Sequence, residues 1–284
     1  MTPFKRKPAW LRKPIRLSRL AEVEAMLAKG KLHTICQEAA CPNIGECFAS
    51  KTATFLILGN RCTRACTFCN VSRGLGEPPD PQEPDNVALT AEQLGLRHVV
   101  VTAPTRDDLD DGGAEQFVRT VEAIKRRDAT VRVELLIPDL RENEAALERV
   151  ARSGAEILGH NLETVPRLYH VRKGSEYARS LRVLEKLAAS APDAATKSGI
   201  MLGLGERDAE VLSLMRDLLC AGCGLLSIGQ YLSPSPRHAP VVEYVDPERF
   251  AFFARAGREM GFRYVMSSPY TRSSYLAHQY LEDI

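Results

Sequence analysis

No apolar run in this chain approaches the ~18 residues of a membrane-crossing helix, and no secretory signal pattern opens it. Surplus charge is also missing. Lys and Arg number 38 against 36 Asp and Glu, a formal charge of +2, which argues against a protein committed to nucleic acid. No low-complexity segment is present, and no internal sequence repeat beyond the alternation of strands and helices described below. The six histidines (His33, His98, His160, His170, His238, His278) show no ligand spacing, although His160 lies at a strand end. Acidic residues are absent from Met1–Ala21, which carries Lys5, Arg6, Lys7, Arg12, Lys13, Arg16 and Arg19. That stretch reads as a solvated terminus or as a docking arm for an acidic partner. Pro3, Pro8 and Pro14 count against a continuous amphipathic presequence helix.

Cysteine is what the chain has in a telling pattern. Cys36, Cys41 and Cys47 are spaced C-x4-C-x5-C; Cys62, Cys66 and Cys69 are spaced C-x3-C-x2-C. Tight local spacing without an export signal reads as metal ligation in a reducing cytoplasm, not as a disulfide framework. Structural zinc prefers paired C-x2-C knuckles closed by four ligands. Thiolates also hold [4Fe–4S] clusters, by default four to a cluster. Each triad is then one ligand short. The second can leave an iron open for chemistry; the first needs a ligand from elsewhere in the chain or from outside it.

Around the triads the pattern is α/β. Ser18 is a plausible helix N-cap, with Leu20, Val23 and Leu27 on one face and Gly30 as the stop. Short β-rich runs occur at Thr54–Leu58, His98–Thr102, Val131–Ile137, Ala155–Gly159, Gly199–Gly203 and Leu225–Gln230. Helical stretches separate them, for example Ala114–Arg127, Glu142–Arg152, Glu176–Ala189 and Arg207–Leu219. Alternation of this kind means βαβ units and a parallel sheet, and 284 residues fit a single barrel. The C-x3-C-x2-C begins just after the first strand, where barrel chemistry collects. Pro78–Pro84 reads as a surface loop.

The second triad, with Phe68 before its last cysteine, resembles the signature of the radical S-adenosylmethionine (radical SAM) enzymes. The C-x4-C-x5-C upstream of it and Arg272-Ser273-Ser274-Tyr275 near the C-terminus resemble the lipoyl synthase family, over about Pro8 to Ala277. The resemblance implies a partial (β/α)6 TIM-like barrel of the radical SAM type with N-terminal and C-terminal extensions. Its divisions would be 1–50 with the auxiliary-cluster cysteines, 51–262 as the core, and 263–284 with the Arg-Ser-Ser-Tyr motif. It implies a [4Fe–4S] cluster on Cys62, Cys66 and Cys69 that chelates S-adenosylmethionine and yields a 5′-deoxyadenosyl radical. It implies a second [4Fe–4S] cluster on Cys36, Cys41, Cys47 and Ser274, with Ser273 the lesser choice, consumed as the sulfur source. The implied reaction inserts sulfur at C6 and C8 of an octanoyl chain on a carrier lysine. Implied partners are octanoylated lipoyl carrier domains (E2 subunits or a glycine-cleavage H protein), a ferredoxin or flavodoxin electron donor, and iron–sulfur assembly proteins. No nucleic acid or membrane partner is expected.

Further candidates follow from the same resemblance. Phe68, Gly112 and Gly113, on a loop with Asp107, Asp108, Asp110 and Asp111, would border S-adenosylmethionine, one carboxylate holding its ammonium. Gly203, Gly205 and Glu206, after Gly199 and Met201, resemble the superfamily's fifth-strand motif beside adenine. Asn161-Leu162-Glu163-Thr164 matches the family without a derivable role. Arg272 or Lys197 could bind the polar part of the substrate. Asn70 and Ala65 depart from residues common in the family, but neither is a cluster ligand. Cys220 and Cys223 form a lone C-x2-C at a helix end and read as core packing. Two other readings compete. A different sulfur-inserting radical SAM enzyme would need auxiliary ligands inside the strands or an added C-terminal module; a two-cluster electron carrier has no use for six βα units.

Overall fold

A computed structural model describes residues 6–12, 20–49, 53–277 and 280. Ser18 and most of the basic N-terminal stretch lie outside them. Helix α1 (Leu20–Lys29) buries Val23 and Leu27, four residues apart on one face. A short strand β1 (His33–Thr34) leads into α2 (Ile35–Glu38), and α3 (Ile44–Ala49) follows. Then β2 (Thr54–Leu56) enters the main sheet, and β3 (Arg61–Cys62) pairs with β4 (Ser72–Arg73) in a small separate ladder.

The rest alternates. Strands β5 (His98–Thr102), β6 (Arg132–Leu136), β7 (Ile157–Gly159), β8 (Ala195–Leu202), β9 (Leu225–Gln230) and β10 (Tyr264–Ser267) succeed one another in the sheet. Helices α4 (Glu83–Leu94), α5 (Ala114–Arg127), α6 (Glu144–Ala151), α7 (Tyr177–Ser190), α8 (Asp208–Cys220) and α9 (Pro247–Met260) connect them. Among the described residues the sheet order is β1-β2-β5-β6-β7-β8-β9-β10, parallel throughout except for β1 against β2. β10 does not return to β2, so the barrel is partial, as expected.

Three elements differ from the sequence reading. α4 begins inside the stretch read as a loop: Glu83 and Pro84 are buried, Pro84 sits in the first turn where its missing N–H costs nothing, and Gly95 at φ +65° ends the helix. α9 starts on Asp246, whose carboxylate accepts from Glu248 N at 2.8 Å. β10 extends the parallel sheet beyond the six runs seen in the sequence, pairing Tyr264–Ser267 with Leu225–Ile228.

Strand periodicity sorts the side chains. Phe55, Ile57, Val99, Val101, Val133 and Leu135 point outward into a core shared with Val87, Phe117 and Val121 of the helices. The opposite, concave face carries Thr54, Thr102, Glu134, Lys197 and Ser227. That face is covered by the chain's own C-terminal segment. Tyr280 is fully buried against Ile157 and Leu225, edge-on to Tyr264, and its ring centroid lies 3.7 Å from Lys197 Nζ. No helix of the described residues is long and apolar enough to cross a membrane.

Candidate active site: two cysteine clusters

After β2 the chain turns sharply through Leu58 (φ +65°) and Gly59 (φ +78°) into the loop bearing Cys62, Cys66 and Cys69. Neighbouring strand-end loops pin it. Thr63 N donates to Thr105 O (3.0 Å), Thr67 N to Val171 O (2.8 Å), and Ala239 N to Thr67 O (2.8 Å); His238 Nε2 lies 3.1 Å from Cys69 O. Arg64, within the triad, forks onto two carboxylates: Asp107 at 2.8 and 2.9 Å and Asp139 at 2.6 and 2.7 Å. Burial works against the Asp139 charge, but hydrogen bonds and charge from Arg64 hold its carboxyl down at about 2. The sequence reading missed this clamp, because nothing local links residue 64 to residue 139.

The three thiols are close enough to feel one another. Burial pushes Cys66 up to about 12, with Cys69, Glu163 and Cys62 adding to the rise and Arg172 opposing it. Burial likewise pushes Cys69 up to about 11. Such thiols become thiolates when a metal supplies the compensating charge, which suits them to ligation. Glu163, partly buried beside them, holds a left-handed backbone (φ +68°) rare for a non-glycine residue and accepts from Asn161 Nδ2 at 3.0 Å. The sequence offered no sign of this strain.

The first triad is built from turns. Thr34 caps α2, which carries Cys36; Cys41 N closes onto Cys36 O at 3.0 Å, and Cys47 lies on α3. Asn43, buried, donates to Tyr270 O at 2.8 Å and so joins this segment to the far end of the chain. Cys36, Cys41 and Cys47 line a small hollow together with Thr54, Arg272 and Ser274. Thr54 Oγ1 donates to Ser274 Oγ at 2.7 Å. Ser273 turns the other way and donates to Asn161 Oδ1 at 3.1 Å. Burial, then the neighbouring Cys41, pushes Cys36 up to about 11. Among the described residues no three His, Cys, Asp or Glu side chains converge on a single ion. Thiols spread round a hollow with a hydroxyl opposite suit a multi-iron group better than one tetrahedral zinc.

Other expected residues are placed as follows. Gly112 and Gly113 (φ +63° and +94°) form the turn into α5, where Asp111 accepts from Gly113 N at 2.8 Å. Asp107 and Asp108 are engaged by Arg64 and Arg106. Glu206 accepts from Gly203 N (2.9 Å), Leu204 N (3.0 Å) and Thr164 Oγ1 (2.9 Å), which fixes the turn through Gly203 and Gly205. Phe68 packs against the second apolar core. Lys197 does not face open space: it and Glu134 are each 1% exposed and paired at 2.8 Å beneath Tyr280, so a substrate-binding role is corrected to a structural one. Cys223 is core, as expected, but Cys220 is exposed because it ends α8 on the solvent side. His160 is fully buried between Ile137 O (2.9 Å) and Ser180 Oγ (3.1 Å).

Comparison with known proteins agrees with this geometry. The Radical SAM superfamily model matches residues 56–218. Lipoyl synthase of Geobacter sp. (strain M21) is 54% identical over 98% of this chain and 95% of its own length. Lipoyl synthase of Geobacter metallireducens is 54% identical over 97% of each chain. Among solved structures, HydG, a maturase of the [FeFe]-hydrogenase, shares the fold at a TM-score of 0.56, with 16% identity over 88% of this chain and 63% of that one. With identity that high over nearly the full length, and both cysteine triads in place, the chain belongs to the lipoyl synthase family of radical SAM enzymes.

Proposed function

We propose that Cys62, Cys66 and Cys69 hold the [4Fe–4S] cluster that works with S-adenosylmethionine, and that Cys36, Cys41, Cys47 and Ser274 hold the auxiliary one. The enzyme inserts sulfur at C6 and C8 of a protein-bound octanoyl-lysine chain. The observation that carries the assignment is the hollow that three N-terminal thiols share with Ser274. When bound, these groups supply a radical able to take hydrogen from an unactivated methylene, and the sulfur that replaces it.

The chain's own residues do the positioning. Arg64 fastens the triad loop to the loops after β5 and β6. Thr54 orients the Ser274 hydroxyl, and the Arg272 cation lies beside Cys41, where it offsets thiolate charge. Phe68, Gly112, Gly113, Gly203, Gly205 and Glu206 border the S-adenosylmethionine side, with Glu206 keeping the glycine turn in shape. A methylene has no acidic proton, so no side-chain base is assigned. In this division residues 1–50 serve the auxiliary site, 51–262 the radical site, and 263–284 contribute β10 and Ser274. The substrate is an octanoylated lipoyl carrier domain of an E2 subunit or an H protein. A ferredoxin or flavodoxin supplies electrons, and iron–sulfur assembly proteins rebuild the auxiliary cluster.

The test is anaerobic reconstitution followed by reaction with an octanoyl-lysine peptide, S-adenosylmethionine and dithionite. Mass spectrometry should find dithiolated peptide with 5′-deoxyadenosine, and changing Cys36, Cys41 and Cys47 to Ala should abolish sulfur insertion alone. Absence of deoxyadenosine from protein carrying both clusters would refute the assignment.

A further inference from the structure

We propose that the lip formed by the radical-site loop and two neighbouring loops is the docking surface for an acidic electron-transfer protein. The inference rests on the cluster assignment above and says where one of its partners binds. Three segments meet there: residues 61–75, which carry the second triad, residues 170–175 after β7, and residues 231–242 after β9. Backbone hydrogen bonds join them, Thr67 N donating to Val171 O and Ala239 N to Thr67 O, each at 2.8 Å. None of the three contains an Asp or a Glu. Exposed cations stand on all of them: Arg61, Arg73, Lys173 and Arg237. None of these four makes an ion pair among the described residues. Arg64 and Arg172 of the same segments are turned inward, to Asp107 and Asp139 and to Tyr169.

Elsewhere the surface is matched. Along the outer helices Arg126 pairs with Asp85 at 3.0 Å and Arg127 with Glu92 at 2.6 Å. A patch of one sign left uncompensated steers an oppositely charged partner to one place. Leu75 stands two residues from Arg73 and is 73% exposed, which puts an apolar contact inside the charged rim. The position selects the partner. Arg73 lies opposite Cys62 in the β3–β4 ladder, and Arg237 precedes His238, whose Nε2 is 3.1 Å from Cys69 O. No residue of the auxiliary hollow belongs to these segments. The octanoyl chain of the carrier has to reach both cysteine sites, whereas an electron is needed at the radical site alone. Electron transfer weakens steeply with distance, so the donor gains most by docking on this lip. One electron leaves the reduced donor for the radical site, and no bond or proton moves with it.

The experiment measures binding of an acidic flavodoxin and an acidic ferredoxin to the anaerobic full-length protein carrying both clusters, by calorimetry and without turnover. The triple variant Arg73→Glu, Lys173→Glu, Arg237→Glu should bind whichever donor the native protein accepts at least about tenfold more weakly at low salt, and high salt should erase the difference. Its iron content and its dithionite-driven formation of deoxyadenosine should stay native, which separates docking from misfolding. Gln at the same three positions should give an intermediate affinity. Unchanged donor affinity in the Glu variant would overturn the proposal, as would native protein that binds neither donor. A raised KM for octanoylated H protein with donor affinity unchanged would also overturn it and give the lip to the carrier. Native protein that forms no deoxyadenosine with dithionite would instead refute the cluster assignment, so the two failures are distinguishable.

Discussion

His160 shows how far one residue's chemistry depends on its surroundings. Burial, and then the charge of Arg172, push its pKa down to about 3, so the native imidazole is neutral. The unfolded value lies near 6.5. Below that pH the unfolded chain takes up a proton that the native state refuses. The stabilisation is complete above about 6.5 and falls by about 1.4 kcal/mol per pH unit below it. Urea denaturation between pH 6.5 and 5.5 should therefore show a flatter pH dependence for His160→Gln than for the native protein. Equal slopes would exclude His160 as the titrating group. In the sequence this residue was only a histidine at a strand end. Its partners Ser180 and Arg172, and Tyr169 whose hydroxyl bonds Ser180, come from later segments that no local pattern ties to it. The two cysteine triads were legible because residues brought together from one short stretch of chain leave a fixed spacing. Glu163 was not legible as strained, because backbone strain leaves no mark on residue type.

The elements read from hydrophobic period were those with clean alternation. The helix expected at Ala114–Arg127 is found at those bounds, with Phe117, Val121 and Ile124 buried and the last turn basic. α4 and α9 were passed over because each carries proline in its first turn, which reads as a break until that turn is recognised as the place that tolerates it. β10 went unseen because Ser267 at its end and Ser268 beyond it suggest a loop, and it gains strand character from pairing with β9. The C-terminal segment passes Gly229 so closely that an added methyl cannot be absorbed by side-chain motion: the obstacle is the Thr271 backbone oxygen. Gly229→Ala should displace the tail and cut sulfur insertion by more than about tenfold, as misplacement of a reacting group does. Deoxyadenosine formation should survive better than sulfur insertion, and a parallel loss of both would show that the tail is not what moved.

Across the whole molecule, Arg64 ties three strand-end loops together at the barrel mouth. Its side chain is 6% exposed and that of Asp139 0%. Arg64→Met would leave the buried Asp139 carboxylate with only Arg179 at 3.6 Å and the Arg141 N–H, and losing the forked partner costs about 3 kcal/mol. Urea denaturation of the anaerobic protein should show that loss, together with faster release of iron from the radical site. Arg64→Lys should recover only part of it, because one ammonium cannot fork onto two carboxylates. Unchanged stability in Arg64→Met would mean that the loops hold one another without the clamp.

The hollow around the first triad is walled by both ends of the chain, with Thr54 and Ser274 meeting across 220 positions. During synthesis Ser274 follows the cysteines of both triads out of the ribosome. The hollow of the first triad thus stays open until the segment carrying Ser274 emerges. The wall that Ser274 closes is therefore complete only after both triads have been made.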